Sequence, residues 1–326
     1  MVVDGLEAGA VHDYAVRVDD ASVCPPSDSP FPAPATRTLD RSRPLRLAFG
    51  SCRLAEPHET ANKTNGVDAL RTLALALAEQ QEQWPDLMAF LGDQVYADLT
   101  PDAMREFIAS RRDIDEPPGV EIKDYEEYAH LYQLAWNDPA NRWLLSTLAS
   151  CMIFDDHDIR DDWNTSWSWH EEINRTQWWH ERLMGGLASY WVHQHIGNLS
   201  PSELAHDLVY RAVLSHDGDE ELDLTDAVFG LVERVDRHPE VYRWSYRRDL
   251  GGSRLVVIDS RAARVLEPDR RPRARARPPL DARPRRAGVA GRPAHRGGGP
   301  SAHRYLVALP AAIGTARPRG HGRGGG

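Results

Sequence analysis

Residues 151–163 read CMIFDDHDIRDDW: four apolar residues stop, without a turn signal, at a run of charge. Seven of the eight residues from Asp155 to Asp162 ionise, so the first carboxylates sit at the mouth of a buried strand. Like charges crowded there repel strongly unless bound cations or Arg160 compensate them. The same form recurs at 45–52 (LRLAFGSC), 87–98 (LMAFLGDQVYAD) and 255–261 (LVVIDSR). Open α/β sheets bind ligands just outside the carboxyl ends of their strands. The four runs, ending at Cys52, Asp93, Asp155 and Asp259, are therefore expected to deliver ligands and their neighbours to one site.

Working outward, Val67, Leu70, Leu73, Ala74 and Leu77 recur at helical spacing between the first two runs. Strand, helix, strand favours parallel pairing in a covered sheet, an α/β reading. Helices are expected at 101–111, 125–134 and 204–214, with one long Trp-rich helix from Glu171 to His195. Residues 143–149 lead into the third strand, and Val241–Tyr246 reads as a further one. Before the sheet, VVDGLEAGAVHDYAVRVDD (2–20) alternates around a Gly-containing turn, a hairpin signal, and the Pro/Ser-rich 24–35 reads as a linker. The N-terminus has neither a basic nor an apolar leader region, so the chain as written is expected to be cytoplasmic.

The 326 residues are 41% hydrophobic and 27% charged, ordinary for a globular protein, and no apolar run is long enough to span a membrane. Cys24, Cys52 and Cys151 are too few and scattered for a disulfide framework, and no CxxC pair suggests a zinc knuckle. Net charge is −10, but residues 270–326 hold fourteen Arg against one acid, about +13, which leaves about −23 for the rest. An acidic body argues against nucleic acid as a partner, except through the tail, and suits carboxylates gathered around cations.

Each candidate residue has an ordinary alternative. Asp93 is either a hard oxygen ligand for a cation or a strand-end turn cap. Cys52 is a thiolate ligand or a small buried hydrophobe. Tyr96 offers a phenolate or merely packs. Arg160 clamps a phosphate or pairs with Asp158 or Asp161. Several Asp-bearing strand ends together favour the metal reading, with Asp156, His157 and Arg160 as candidate catalytic residues. The six Trp between 163 and 191 are expected mainly to pack. His170, His180, His193 and His195 do not share a helical face and are not taken as ligands. Ser51 and Ser260 lack a clear His–Asp partnership, so no serine nucleophile stands out.

FGSCR (49–53), FLGDQVYAD (90–98) and IFDDHDIRDDWN (153–164), in this order, resemble the signature blocks of the PhoD-type alkaline phosphatases. VVIDSRAAR (256–264) is similar to the strand that follows in that family. The resemblance implies a calcineurin-like αββα sandwich at 41–269, preceded at 1–40 by the remnant of a small fibronectin-like β module. It implies ferric iron and calcium as cofactors, and small phosphate mono- or diesters as substrates. Carried over by motif, Cys52, Asp93 and Tyr96 fall on iron ligands, with Asp93 bridging to calcium. Asp161 or Asp162 stands where the family often has an Asn ligand, and Arg160 falls near the phosphate.

The tail departs from the family, whose late Gly-Asp-x-His block finds no counterpart after Asp269. Residues 270–326 read as an Arg/Pro/Gly-rich disordered segment. Codon degeneracy allows 304–320, read one base later, to encode an apolar segment resembling the family's, which points to a frame shift near Arg270. A chain lacking that block is expected to hold its metals poorly and to be weakly active or dead. The alternative is a non-catalytic remnant, or a protein binding nucleic acid through its basic tail.

Overall fold

The computed structural model describes residues 3–55 and 66–268, together with the backbone of a tail strand at Arg304–Ala308. The first strands are short: β1 (Val11–Asp13), β2 (Val16–Val18), β3 (Ala21–Cys24) and β4 (Ala35–Arg37). β1 pairs with β4, and β2 with β3, both antiparallel. The β2–β3 hairpin turns at Asp19 and Asp20, with φ of 47° and 64°. Two residues at positive φ match the twist of the flanking strands, and Asp tolerates that conformation. Residues 24–35 are more than a linker. Phe31 stacks on Trp143 with ring centroids 5.8 Å apart, and Ala35 is buried.

The central sheet follows the strand–helix–strand reading. β5 (Leu47–Gly50), α1 (Ala69–Glu79), β6 (Leu87–Leu91), α2 (Asp102–Arg111), α3 (Tyr125–Trp136), α4 (Pro139–Thr147) and β7 (Ser150–Ile153) come in order. β5, β6 and β7 pair in parallel in that order. Asp68 starts α1 by accepting the Leu70 and Arg71 N–H groups, and its carboxylate also pairs with Arg53. Asp138 and Pro139 start α4, a helix that the sequence reading took only as a lead into β7.

Pleating divides the core. Met88 and Phe90 of β6 and Met152 of β7 face α1 and α4, against Leu70, Leu77, Trp143 and Leu144. Their neighbours Leu87, Ala89, Cys151 and Ile153 face the other way, into a cluster with Leu183, Leu231, Tyr246, Leu255 and Val257. That second cluster draws on α5 (Trp167–Ile173), α6 (Trp179–Tyr190), α7 (Thr225–Arg237), β8 (Tyr246–Leu250) and β9 (Ser253–Val257).

Several boundaries differ from the sequence reading. The single helix expected over 171–195 is broken between α5 and α6. The Thr176 hydroxyl donates to the Ile173 carbonyl at 2.7 Å, a local bond that competes with helix continuation. After α6 the chain widens into a π turn at Trp191–His195. The helix expected over 204–214 is two short pieces, Pro201–Leu204 and Tyr210–Ser215. The strand expected at 241–246 begins only at Tyr246. The Gly251–Gly252 turn sets the β8–β9 register, and Tyr246 opposite Val257 is its last pair. In the tail, Arg304–Ala308 forms β10, parallel to β9, which departs from the disorder expected there. Its Tyr, Leu and Val suit a strand. The rest of 270–326, including the Arg-rich stretch and most of the segment read for a frame shift, lies outside the described residues.

β7 is closed on its far side by side chains. Asn198 accepts the Met152 N–H and donates to the Met152 carbonyl, both at 2.8 Å, and the Tyr246 hydroxyl reaches the same carbonyl at 2.8 Å. Asn198→Ala leaves a buried N–H unpaired and is expected to cost about 1–3 kcal/mol in denaturant unfolding. An unchanged midpoint would show that this edge is satisfied some other way.

Candidate metal centre

The chain leaves β5, β6 and β7 in tight turns that bring their ends together. Cys52 and Asp93 both take positive φ, at 58° and 51°. The Cys52 and Arg53 N–H groups donate to the Gly92 and Asp93 carbonyls, each at 3.1 Å, which ties the β5 exit to the β6 exit. Gly92, at φ 98°, lies so close to the β7 exit that a Cβ there would come within 2.4 Å of Asp155 Cβ.

Asp158 organises these turns. It is buried, and its carboxylate accepts the N–H groups of Asp93 (2.7 Å), Asp155 (2.9 Å), Gln94 (3.1 Å) and Val95 (3.3 Å). The sequence reading did not single it out. A carboxylate three residues after a strand end, facing successive N–H groups, is the signal that could have found it.

Around this frame, carboxylate oxygens of Asp93, Asp155 and Asp156 all lie within 4.8 Å of one another. Asp156 also groups at that spacing with Asp161 and Asp162. Burial, reinforced by Asp155 and Asp156, pushes Asp93 up to about 6 although Cys52 hydrogen-bonds to it. Burial also raises Asp155, whose Oδ2 is buried without a partner while Oδ1 meets Arg261. Burial pushes the Cys52 thiol up to about 11, and the nearby Asp93 and Asp155 add to that. Tyr96 is raised for the same reasons, burial first and then Asp93 and Cys52, and its ring lies 4.6 Å from that of His157. Its phenol therefore belongs to the same neighbourhood.

His157 stands between acids. Its N–H donates to Asp93 Oδ1 at 3.2 Å, its Nδ1 meets Asp98 at 2.9 Å, and its Nε2 lies 3.7 Å from Asp161. Burial lowers its pKa, but the Asp98 bond and the surrounding carboxylates win and push it up to about 9. The Asp161 N–H also donates to Asp98, at 2.7 Å, so Asp98 fixes both the imidazole and the loop beyond it. Asp98 sits inside the FLGDQVYAD block but was not singled out as a site residue.

Two expectations are corrected. Asp259 is not a ligand-like strand end. It caps its own loop, accepting the N–H groups of Arg261, Ala262 and Ala263, while Arg261 reaches the site. Arg261 pairs with Asp155 and, at 3.1 Å, with Asp156, which supplies positive charge the sequence reading had assigned to Arg160. Arg160 meets neither Asp158 nor Asp161. Its guanidinium lies 3.4 Å from Glu121 and 5.3 Å from the Trp178 ring centroid. Trp163, Trp179 and Trp191 are core residues, whereas Trp169 lines a cavity of about 460 Å³ beside the acidic loop.

This donor set fits cations. Three converging carboxylates and an orphaned buried oxygen are unfavourable together without positive charge, and Arg261 alone faces only two of them. The Cys52 thiol alongside adds a soft donor and the Tyr96 phenol a further oxygen.

Comparison with curated proteins finds no match. Among solved structures, one titled "Structure of PhoD" is similar at 16% identity and a TM-score of 0.45, with 82% of this chain and 40% of that one covered. The chain thus spans less than half the length of that relative. Among protein families, residues 71–214, which carry β6, β7 and the whole DDHDIRDD loop, match the model described as PhoD-like phosphatase. The likeness to PhoD-like phosphatases is thus one of the segment 71–214.

Proposed function

We propose that this protein is a metal-dependent phosphoric ester hydrolase acting on small phosphate mono- or diesters. The observation that carries the reading is the convergence of Asp93, Asp155 and Asp156 at the ends of β6 and β7, with Asp155 Oδ2 buried and unpartnered. The match of residues 71–214 to the PhoD-like phosphatase family supports it. In this reading Cys52, Asp93 and Tyr96 hold one cation, iron by resemblance. Asp93 also bridges to a second, calcium by resemblance, with Asp161 or Asp162 as its further ligand, and Asp156 stands at ligand spacing from all three. Residues 41–269 make up the catalytic unit, of calcineurin-like αββα type, and 1–40 a partial fibronectin-like module.

When bound, such cations polarise a phosphoryl group and make a water more acidic. The protein's own groups do the rest. Asp158 holds the backbone of Asp93 and Asp155 in place, and Arg261 keeps Asp155 and Asp156 oriented. His157, protonated near neutral pH and fixed by Asp98, is placed to hold a proton beside a leaving oxygen.

Hydrolysis of p-nitrophenyl phosphate and bis-p-nitrophenyl phosphate, before and after exhaustive chelation, tests the reading. Turnover is expected to vanish on chelation and return with added metal. Metal content of the purified protein is expected to track turnover as metal is removed and restored. Activity that survives complete metal removal would refute the proposal.

A further inference from the structure

α3 and α7 both pack on α6 and leave a groove of about 1280 Å³ between them. His180, Met184, Ala188 and Val192, each one turn from the next, run along its floor. Tyr125 and Ala129 of α3 form one wall, and Phe229 and Gly230 of α7 the other. Among the described residues no further helix covers this stripe, although Phe107 of α2 reaches its edge. The groove shares no residue with the metal centre.

Its dimensions, its glycine and its rim each describe an occupant. The run from His180 to Val192 rises about 18 Å, so the groove has a cross-section of about 70 Å² along that length. A helix 10 Å across has a cross-section of about 80 Å². The volume also exceeds the roughly 300–1,000 Å³ of most small-molecule sites. Outside the backbone of its own helix, an added Cβ at Gly230 would meet only Arg234 Nη1, at 3.8 Å. Glycine costs a helix interior about 1 kcal/mol, and what it offers here is close approach for another backbone. Carboxylates of Asp124, Glu126, Glu181, Asp226 and Glu233 line the groove, and no Lys or Arg does. From outside, Arg111 pairs with Asp124 and Glu126, Lys123 with Glu181, and Arg237 with Glu233. Five acids against these three cations and Arg234 leave the rim negative.

We propose that this groove docks a basic amphipathic helix of about three turns from another protein, with small apolar residues toward α6 and Lys or Arg toward the rim. The narrow cross-section and Gly230 call for the small inner residues, and the rim calls for the basic flanks. Apolar contact supplies affinity, and the rim charges favour this partner over neutral or acidic helices. The inference stands apart from the phosphate-ester reading, and its test requires no turnover.

The probe is a fluorescein-labelled peptide of about 15 residues of Ala, Leu and Lys with one apolar face, titrated with the full chain by anisotropy. A control peptide has the same composition with Lys spread around the helix, and is expected to bind about tenfold more weakly or worse. Gly230→Leu is expected to weaken binding about tenfold or more by filling the wall, with an equal or higher denaturant midpoint because Leu favours helix. Glu126→Gln with Asp226→Asn, both exposed, is expected to weaken it about threefold at low salt and to flatten its salt dependence. Equal binding of the control peptide would mean mere attraction to an acidic body and overturns the proposal. So does affinity that Gly230→Leu leaves unmoved, or wild-type protein that does not bind the peptide. A dimer of the protein alone that Gly230→Leu dissociates would give the groove to a second copy, and overturns it too. If Gly230→Leu does not fold, the charge variant decides, since unchanged affinity and salt slope there sink the proposal.

Discussion

Asp93→Asn is expected to lower kcat/KM for bis-p-nitrophenyl phosphate by about a thousandfold or more. Losing a ligand shared by the candidate cations removes several kcal/mol of phosphoryl-charge stabilisation, and each 1.36 kcal/mol is tenfold in rate. The substitution keeps shape and removes charge. Asn retains an oxygen for the His157 N–H, which Asp93 now accepts at 3.2 Å, and the Asp93 N–H can still reach Asp158. The fold should therefore persist, with circular dichroism unchanged and stability equal or slightly higher, since burial already raises this carboxyl to about 6. Metal content should fall in parallel with rate. A variant within tenfold of wild type in kcat/KM would remove Asp93 from the centre, and with it the proposed role of β6.

Gly92→Ala is expected to cost about 3 kcal/mol or more and to abolish metal retention, adding left-handed strain to overpacking against a rigid neighbour. The added Cβ would meet Asp155 at 2.4 Å from Cβ and 3.0 Å from the backbone nitrogen, neither of which can swing away. Relief requires separating the ends of β6 and β7, the two strand exits whose carboxylates converge. Gly119→Ala provides the control. Its φ is 70°, but the nearest atom is 3.6 Å away, so only the conformational cost of about 1 kcal/mol applies. Equal denaturant midpoints for the two variants would mean that the β6–β7 contact is looser than these distances state.

Legibility in the sequence followed the range of the physical signal. The three parallel strands were readable because each is a short apolar run ended by a polar turn, and burial on both faces writes that pattern locally. α1 was readable from its apolar spacing. α4 was not, because Asp138-Pro139 had to be recognised as a helix start before its short apolar face meant anything. The division between α5 and α6 was hidden for the opposite reason. Both segments favour helix, and the break carries a local bond from the Thr176 hydroxyl to the Ile173 carbonyl that competes with helix continuation.

By itself, the sequence determined which residues could carry chemistry and which strand ends would present them: Cys52, Asp93, Tyr96 and the Asp155–Asp162 loop. Tertiary structure alone decided what each partner does. It turned Asp259 into a loop cap and brought Arg261, about a hundred residues from Asp155, onto that carboxylate. It made Asp158 the acceptor that holds the turns, and it gave Arg160 to Glu121 and Trp178. Charge type and strand pattern are properties of a segment, whereas the compensation of a buried charge depends on whichever distant groups the fold packs against it.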